Sequence, residues 1–209
     1  MHPNPIYHHA EAQQNLDFAR ERGFGMLAIN EAGTPLLSHV PFLLNATGDV
    51  VDLHLVRSNP IARVLQAPVE AKIAITGGDS YISPDWYGVP DQVPTWNYVA
   101  VHLTGVLERR PQEELRDVLD RQSAFYEERL LPKPPWTTAK MTPEVLDKMM
   151  RMIVPCRIKV TGVDGTWKLN QNKPDDVRLR AAQQVAAYGF GNETDVVAAL
   201  MLGVGESSD

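Results

Sequence analysis

The sequence predicts a β-dominated α+β fold whose strands close into a barrel, with helices covering it, and three observations carry that reading. Six strand-like segments separated by turn residues precede residue 110. The last of them, Asn97 to Arg109, is long enough to bend around a barrel. Helical patterns then dominate residues 112–152 and 174–202, interrupted by a single return to strand pattern.

Taken in order, Glu11 to Arg22 carries helix formers with Leu16, Phe18 and Ala19 on an inward face, and Gly23 stops it. Phe24 to Asn30 and Leu36 to Leu44 read as a hairpin around Glu31-Ala32-Gly33-Thr34-Pro35. Asn45 to Asp49 is a further turn, and Val50 to Val56 alternates as a third antiparallel strand. Arg57-Ser58-Asn59-Pro60 opens a brief helix, with Asn59 as N-cap and Pro60 at the first helical position. Glu70 to Thr76, Ser80 to Ser83 and Asn97 to Arg109 continue the strands. Gln112 to Leu131 and Pro143 to Met152 are helical by length and propensity, on either side of a proline-rich stretch. Cys156 to Val163 restores the strand pattern, a turn follows at Asp164-Gly165, and Pro174 to Tyr188 and Glu193 to Leu202 finish as helices. With no repeat and no boundary signal, residues 1–209 read as one domain.

Composition narrows the function. The chain has 209 residues, 44% of them hydrophobic, which is enough to bury a core. Its net charge of -6 disfavours a broad electrostatic footprint for nucleic acid. One cysteine, Cys156, leaves no intrachain disulfide and no thiolate cluster for a metal, which suits a reducing, cytoplasmic home. The N-terminal segment lacks the order of a secretory signal, and no apolar run is long enough for a bilayer-spanning helix. None of the six histidines sits at a metal-ligand spacing, no metal is expected, and no catalytic residue is assigned.

Two stretches stand out as walls of a site. Tyr81 to Tyr98 packs five aromatic rings and three prolines into a loop that runs into a strand, offering stiff, flat surface for a planar ligand or a partner. Trp167 to Pro174 offers a ring, two amines and three amides in eight residues. A lysine beside a conjugated ring stabilises charge that develops on reduction, and fixed amides hydrogen-bond ring carbonyls and nitrogens. The same residues also suit a polar turn before a helix, and the same rings suit mutual burial or a subunit contact.

An anion is best matched at Arg57-Ser58-Asn59, where unpaired backbone N–H groups meet a guanidinium. An ordinary capped helix with a solvated arginine also explains those residues, and it is the reading the residues alone favour. Alternation along the preceding strand puts Ser38 and Val40 on one face and His39 on the other, so Ser38 and His39 cannot serve one site together.

The motifs SHVPFLL, HLVRSNP, YISPDWY, VPTWNYVAVHLTG and WKLNQNKP, in that order over residues 1–180, resemble the PaiB family of FMN-binding split-barrel proteins, often labelled negative transcriptional regulators. The resemblance implies a split β-barrel with flanking helices, paired as a homodimer with FMN in a groove between subunits. It places the phosphate near Ser38, His39, Arg57, Ser58 and Asn59, and the flavin ring near Trp96, Asn97, Trp167, Lys168 and Gln171. Two departures are visible: Asp85 replaces a small residue, and is expected to face solvent or an arginine, while Asn170 replaces the usual serine and keeps hydrogen-bonding ability. His39 stands where oxidase relatives carry a basic residue, which leaves haem as an alternative ligand. The expectation is therefore an FMN-binding regulator-type protein capable of flavin-dependent redox chemistry. A direct DNA-binding repressor without flavin and a haem-binding split barrel are the alternatives.

Overall fold

The computed structural model describes residues 2–31 and 33–205; Ala32 of the first hairpin turn lies outside them. Seven strands, β1 (Phe24–Asn30), β2 (Pro35–Leu44), β3 (Val50–Val56), β4 (Val69–Ile82), β5 (Thr95–Arg109), β6 (Ile153–Lys168) and β7 (Phe190–Asn192), form one sheet in the order β1-β2-β3-β6-β5-β4-β7. Strand β1 also pairs with β4, so the first six strands close on themselves and β7 extends beyond β4. Helices α1 (Ala12–Arg22), α2 (Pro60–Val64), α3 (Leu115–Glu127), α4 (Pro143–Met150), α5 (Asp175–Tyr188) and α6 (Thr194–Leu202) accompany them. The β-dominated, barrel-forming class expected from the sequence is the fold observed.

The chain clusters into two compact units. One comprises Leu16–Ile75 and His102–Val163, the other Met1–Asn15, Thr76–Val101 and Asp164–Asp209. In the first unit, alternation puts Leu27, Phe42, Leu53, Ile73, Leu103 and Ile158 into a fully buried interior, each contributing on the order of 2 kcal/mol by leaving water. Cys156 lies in the same interior, and burial pushes its thiol up to about 12, so it packs as a small apolar residue. Helix α3 is tied to β3 through Asp52, which receives Arg121 at 2.8 Å and Arg157 at 2.7 Å. Burial opposes ionisation of that carboxyl, yet the two guanidinium bonds hold it below the usual aspartate value.

The structure corrects two details of the strand pattern. The segments expected at 70–76 and 80–83 are one strand, β4, so five strands rather than six precede residue 110 and β6 completes the closure. The reason is a change of phase: Ala71, Ile73 and Ile75 point inward, and beyond Thr76 and Gly77 the inward set becomes Ser80 and Ile82. A two-residue period read across that shift looks like a break. Likewise no turn occurs at Asp164-Gly165, because β6 continues to Lys168. Gly165 is there for another purpose: the Asn15 side chain occupies the space a Cβ would take. Among the described residues no helix is long and apolar enough to cross a membrane.

Candidate functional site

In the first unit, the motif pieces SHVPFLL and HLVRSNP meet. The Asn59 side chain does two jobs: its oxygen accepts the Ile61 N–H at 2.9 Å as the N-cap of α2, and its amide donates to Ser38 Oγ at 2.9 Å. A hydroxyl that accepts from an amide keeps its own hydrogen, so Ser38 retains a donor for a further acceptor. Ser58 is exposed beside it. Arg57 is exposed, but its guanidinium is held in place, Nε donating to the Arg151 carbonyl and Nη2 to Gln112 Oε1, both at 2.6 Å. Gln112 is fixed in turn by donating to the carbonyls of Met150 and Ile153.

His39 follows the alternation. It is exposed while Val40 is buried, and its ring stacks on Phe24 at 6.3 Å. The structure therefore brings Ser38 to Asn59 and sends His39 to the other face of β2. As a donor set for a phosphate, Ser38, Ser58 and Asn59 fit: they offer neutral donors at a strand-to-helix corner with a cation at residue 57.

In the second unit, the two stretches singled out by the sequence also meet. Lys168 at the end of β6 donates to Thr95 Oγ1 and, at 2.6 Å, to the carbonyl of Trp96. Its ammonium lies 5.9 Å from the centre of the buried Tyr7 ring. Burial pulls that amine below the usual lysine value. Two further bonds join the stretches: Lys173 donates to Gln92 Oε1 and Tyr87 donates to Asn170 Oδ1, the latter at 3.3 Å.

The remaining polar groups serve the loop itself. Trp167 is buried, its indole N–H donating to Asn15 Oδ1 at 2.8 Å. Gln171 closes its own turn, accepting the Leu169 N–H at 2.7 Å and donating to the Trp167 carbonyl. Asn170 has φ of +63°, a region asparagine tolerates better than most residues, which accounts for an amide where serine is usual. Asp85 is exposed, as expected. Asn97 is fully buried, its amide nitrogen 3.3 Å from Met201 Sδ and its oxygen without a partner. Trp96 alone among the ring-side residues presents its ring to solvent, 44% exposed.

Sequence reading missed Asn15, Thr95 and Tyr7, which complete this arrangement. The signal available for Asn15 was Gly165, a glycine inside a strand that marks a close approach. Thr95 lay inside the VPTWNY motif without being singled out, and nothing local marked Tyr7.

The protein-family comparison matches residues 1–162 to the family described as "Putative FMN-binding domain". Among characterised proteins, the Bacillus subtilis "Protease synthase and sporulation protein PAI 2" is 30% identical over 176 residues, covering 83% of this chain and 84% of that protein. The chain belongs to the PaiB family. FMN is accordingly the cofactor of this PaiB-family protein. Solved structures share its fold: the FAD and haem binding protein of Mycobacterium smegmatis has a TM-score of 0.57 at 17% identity, covering 89% of this chain and 82% of its own. A conserved Mycobacterium tuberculosis protein has a TM-score of 0.56 at 19% identity, covering 80% of this chain and 91% of its own. These likenesses establish the split-barrel fold of the PaiB chain.

Proposed function

We propose that the protein holds the FMN phosphate at the Ser38–Ser58–Asn59 corner with Arg57 supplying charge, and works as a flavin-dependent redox or redox-sensing protein. The observation that carries the reading is the Ser38–Asn59 hydrogen bond, which joins two motif pieces 21 residues apart and leaves a hydroxyl free to donate. FMN when bound supplies the redox chemistry; the chain's own residues bind, orient and exclude water.

The ring side is proposed to lie against Trp96. Lys168, Trp167 and Gln171 are assigned a positioning role there, since their polar groups are engaged in fixing the stretch that carries Trp96. Pairing as a homodimer belongs to this proposal and lets phosphate-side and ring-side groups come from different copies. Any regulatory role is proposed to be exercised through the flavin rather than by reading DNA, because a chain with a net charge of -6 has a poor electrostatic basis for gripping phosphates along a duplex.

The test is FMN titration followed by flavin absorbance, with Ser38→Ala and Asn59→Ala compared with the natural protein. Saturable binding weakened about tenfold by Asn59→Ala is expected, the effect of losing one good hydrogen bond to a charged group. Unchanged affinity in both variants removes the corner from the phosphate. A Soret band in place of flavin absorbance would establish the haem alternative, and tight, salt-sensitive gel shifts would establish the repressor.

A further inference from the structure

Strand β7 adds a surface that the motifs did not signal. Tyr81 on β4 faces Phe190 on β7 as a direct antiparallel partner, and Asp79 faces Asn192 two residues along. Two-residue alternation puts all four side chains on one face of this ladder, while Ser80 and Ile82 are buried on the other. Trp96 on β5 joins the outward face, its ring 6.1 Å from Tyr81 edge-on and 6.0 Å from Phe190 at a tilt of 55°. Phe190 is 70% exposed.

Beside these rings runs a groove of about 470 Å³ lined by Gly77, Asp79, Trp96, Tyr98 and Asn192 among others. The Asp79 carboxylate accepts the Asn192 backbone N–H at 3.1 Å and the Asn192 amide at 3.0 Å. Both donors are neutral, and no cationic side chain among the described residues pairs with that charge. A cluster of aromatic rings on the same face as a carboxylate that lacks a counter-charge is complementary to an organic cation: the rings attract the polarised alkyl shell, and the carboxylate takes the charge. A metal ion is a poorer match, since one carboxylate and three rings offer too few oxygen ligands.

We propose that this outward face of β5, β4 and β7 binds a small organic cation of the alkylammonium class, with Tyr81, Trp96 and Phe190 holding its apolar substituents and Asp79 its charge. Trp96 is shared with the proposed ring side of FMN, so the test separates the two readings. Choline, its neutral isostere dimethylbutanol, and sodium chloride at matched ionic strength are titrated calorimetrically into the full chain. Saturable choline binding is expected, weakened about tenfold in Asp79→Asn and in Phe190→Ala, with dimethylbutanol binding at least about tenfold more weakly. Arg57→Ala, which is expected to weaken FMN, is expected to leave choline binding unchanged, so loss of the phosphate assignment does not remove this site.

No saturable choline binding, or choline binding that Asp79→Asn leaves intact, overturns the proposal. Displacement of choline by FMN is the expected result, because both readings use the Trp96 ring. Sedimentation in which Phe190→Ala turns a dimer into monomers overturns the proposal in favour of a face between copies. Phe190 is exposed, so Phe190→Ala reports on the face without a core defect, and an unchanged melting temperature in Asp79→Asn verifies that the ladder is intact.

Discussion

The Ser38–Asn59 corner and the Lys168–Trp96 clamp use the same kinds of groups to opposite ends. At the corner, a hydroxyl and an amide satisfy each other once and remain half-buried, with donor capacity left over. At the clamp, ammonium, indole and amide are consumed by the protein, and what is left outside is the Trp96 ring. The difference teaches that polar residues in a motif can be spent on the protein itself. One motif supplies donors, and the other supplies the stiffness that presents an aromatic face.

The largest expected effect tests the clamp as structure. Asn15→Leu removes the acceptor of a buried indole N–H and puts a branched side chain over Gly165, where the space is already filled. A loss of about 3 kcal/mol in stability is expected from denaturant melts, the unpaired donor and the misfit adding. A loss under about 0.5 kcal/mol would show that the WKLNQN stretch stands without its anchor. Lys168→Met comes next. It keeps the stem but strips the bonds to Thr95 Oγ1 and the Trp96 carbonyl, for about 2 kcal/mol after allowing for the burial cost the charge no longer incurs. Trp96 emission should then shift as its stretch loosens; an unshifted spectrum would separate Lys168 from the loop.

At the corner the ranking inverts, with ligand affinity moving more than stability. Arg57→Ala is expected to weaken FMN about tenfold while leaving the melting temperature near its natural value, since the side chain is exposed. Equal retention of FMN would leave Arg57 as a brace between residues 112 and 151 and nothing more.

How much of this was legible follows from the range of the interactions. The hairpin strands, the Asn59 cap and the Ser38/His39 split were readable because each depends on neighbours within a few residues and on a strict period. The continuity of β4 was not, since its inward face changes phase at Thr76 and Gly77 and a period cannot be followed through a shift. Strand β7 was hidden because three residues, Phe190-Gly191-Asn192, carry too short a pattern to stand out from a turn between helices. The pairing of Lys168 with Thr95 spans 73 residues, and only the fold brings them together.

The smallest effects come from two bases, half-buried His54 and buried Lys168, one in each unit, and they separate the units by pH. Burial lowers the pKa of His54 on β3 and of Lys168 on β6. In both cases the folded state binds fewer protons than the unfolded chain between the lowered value and the ordinary one, so stability rises with pH inside that window. For His54 the window ends at 6.5: its contribution is complete above that pH and is lost as pH falls through the folded value. For Lys168 it ends at 10.5, and below the lowered value the buried charge is a standing cost, relieved only as the solution turns alkaline. His54→Gln should therefore flatten the acid side of a stability-versus-pH curve, and Lys168→Met the alkaline side, each by a slope of at most about 1.4 kcal/mol per pH unit. If both substitutions changed the same limb, the separate burial of the two bases would not describe the protein. If each changes its own, the clamp's ammonium is desolvated by the fold itself, and its work is done before any flavin arrives.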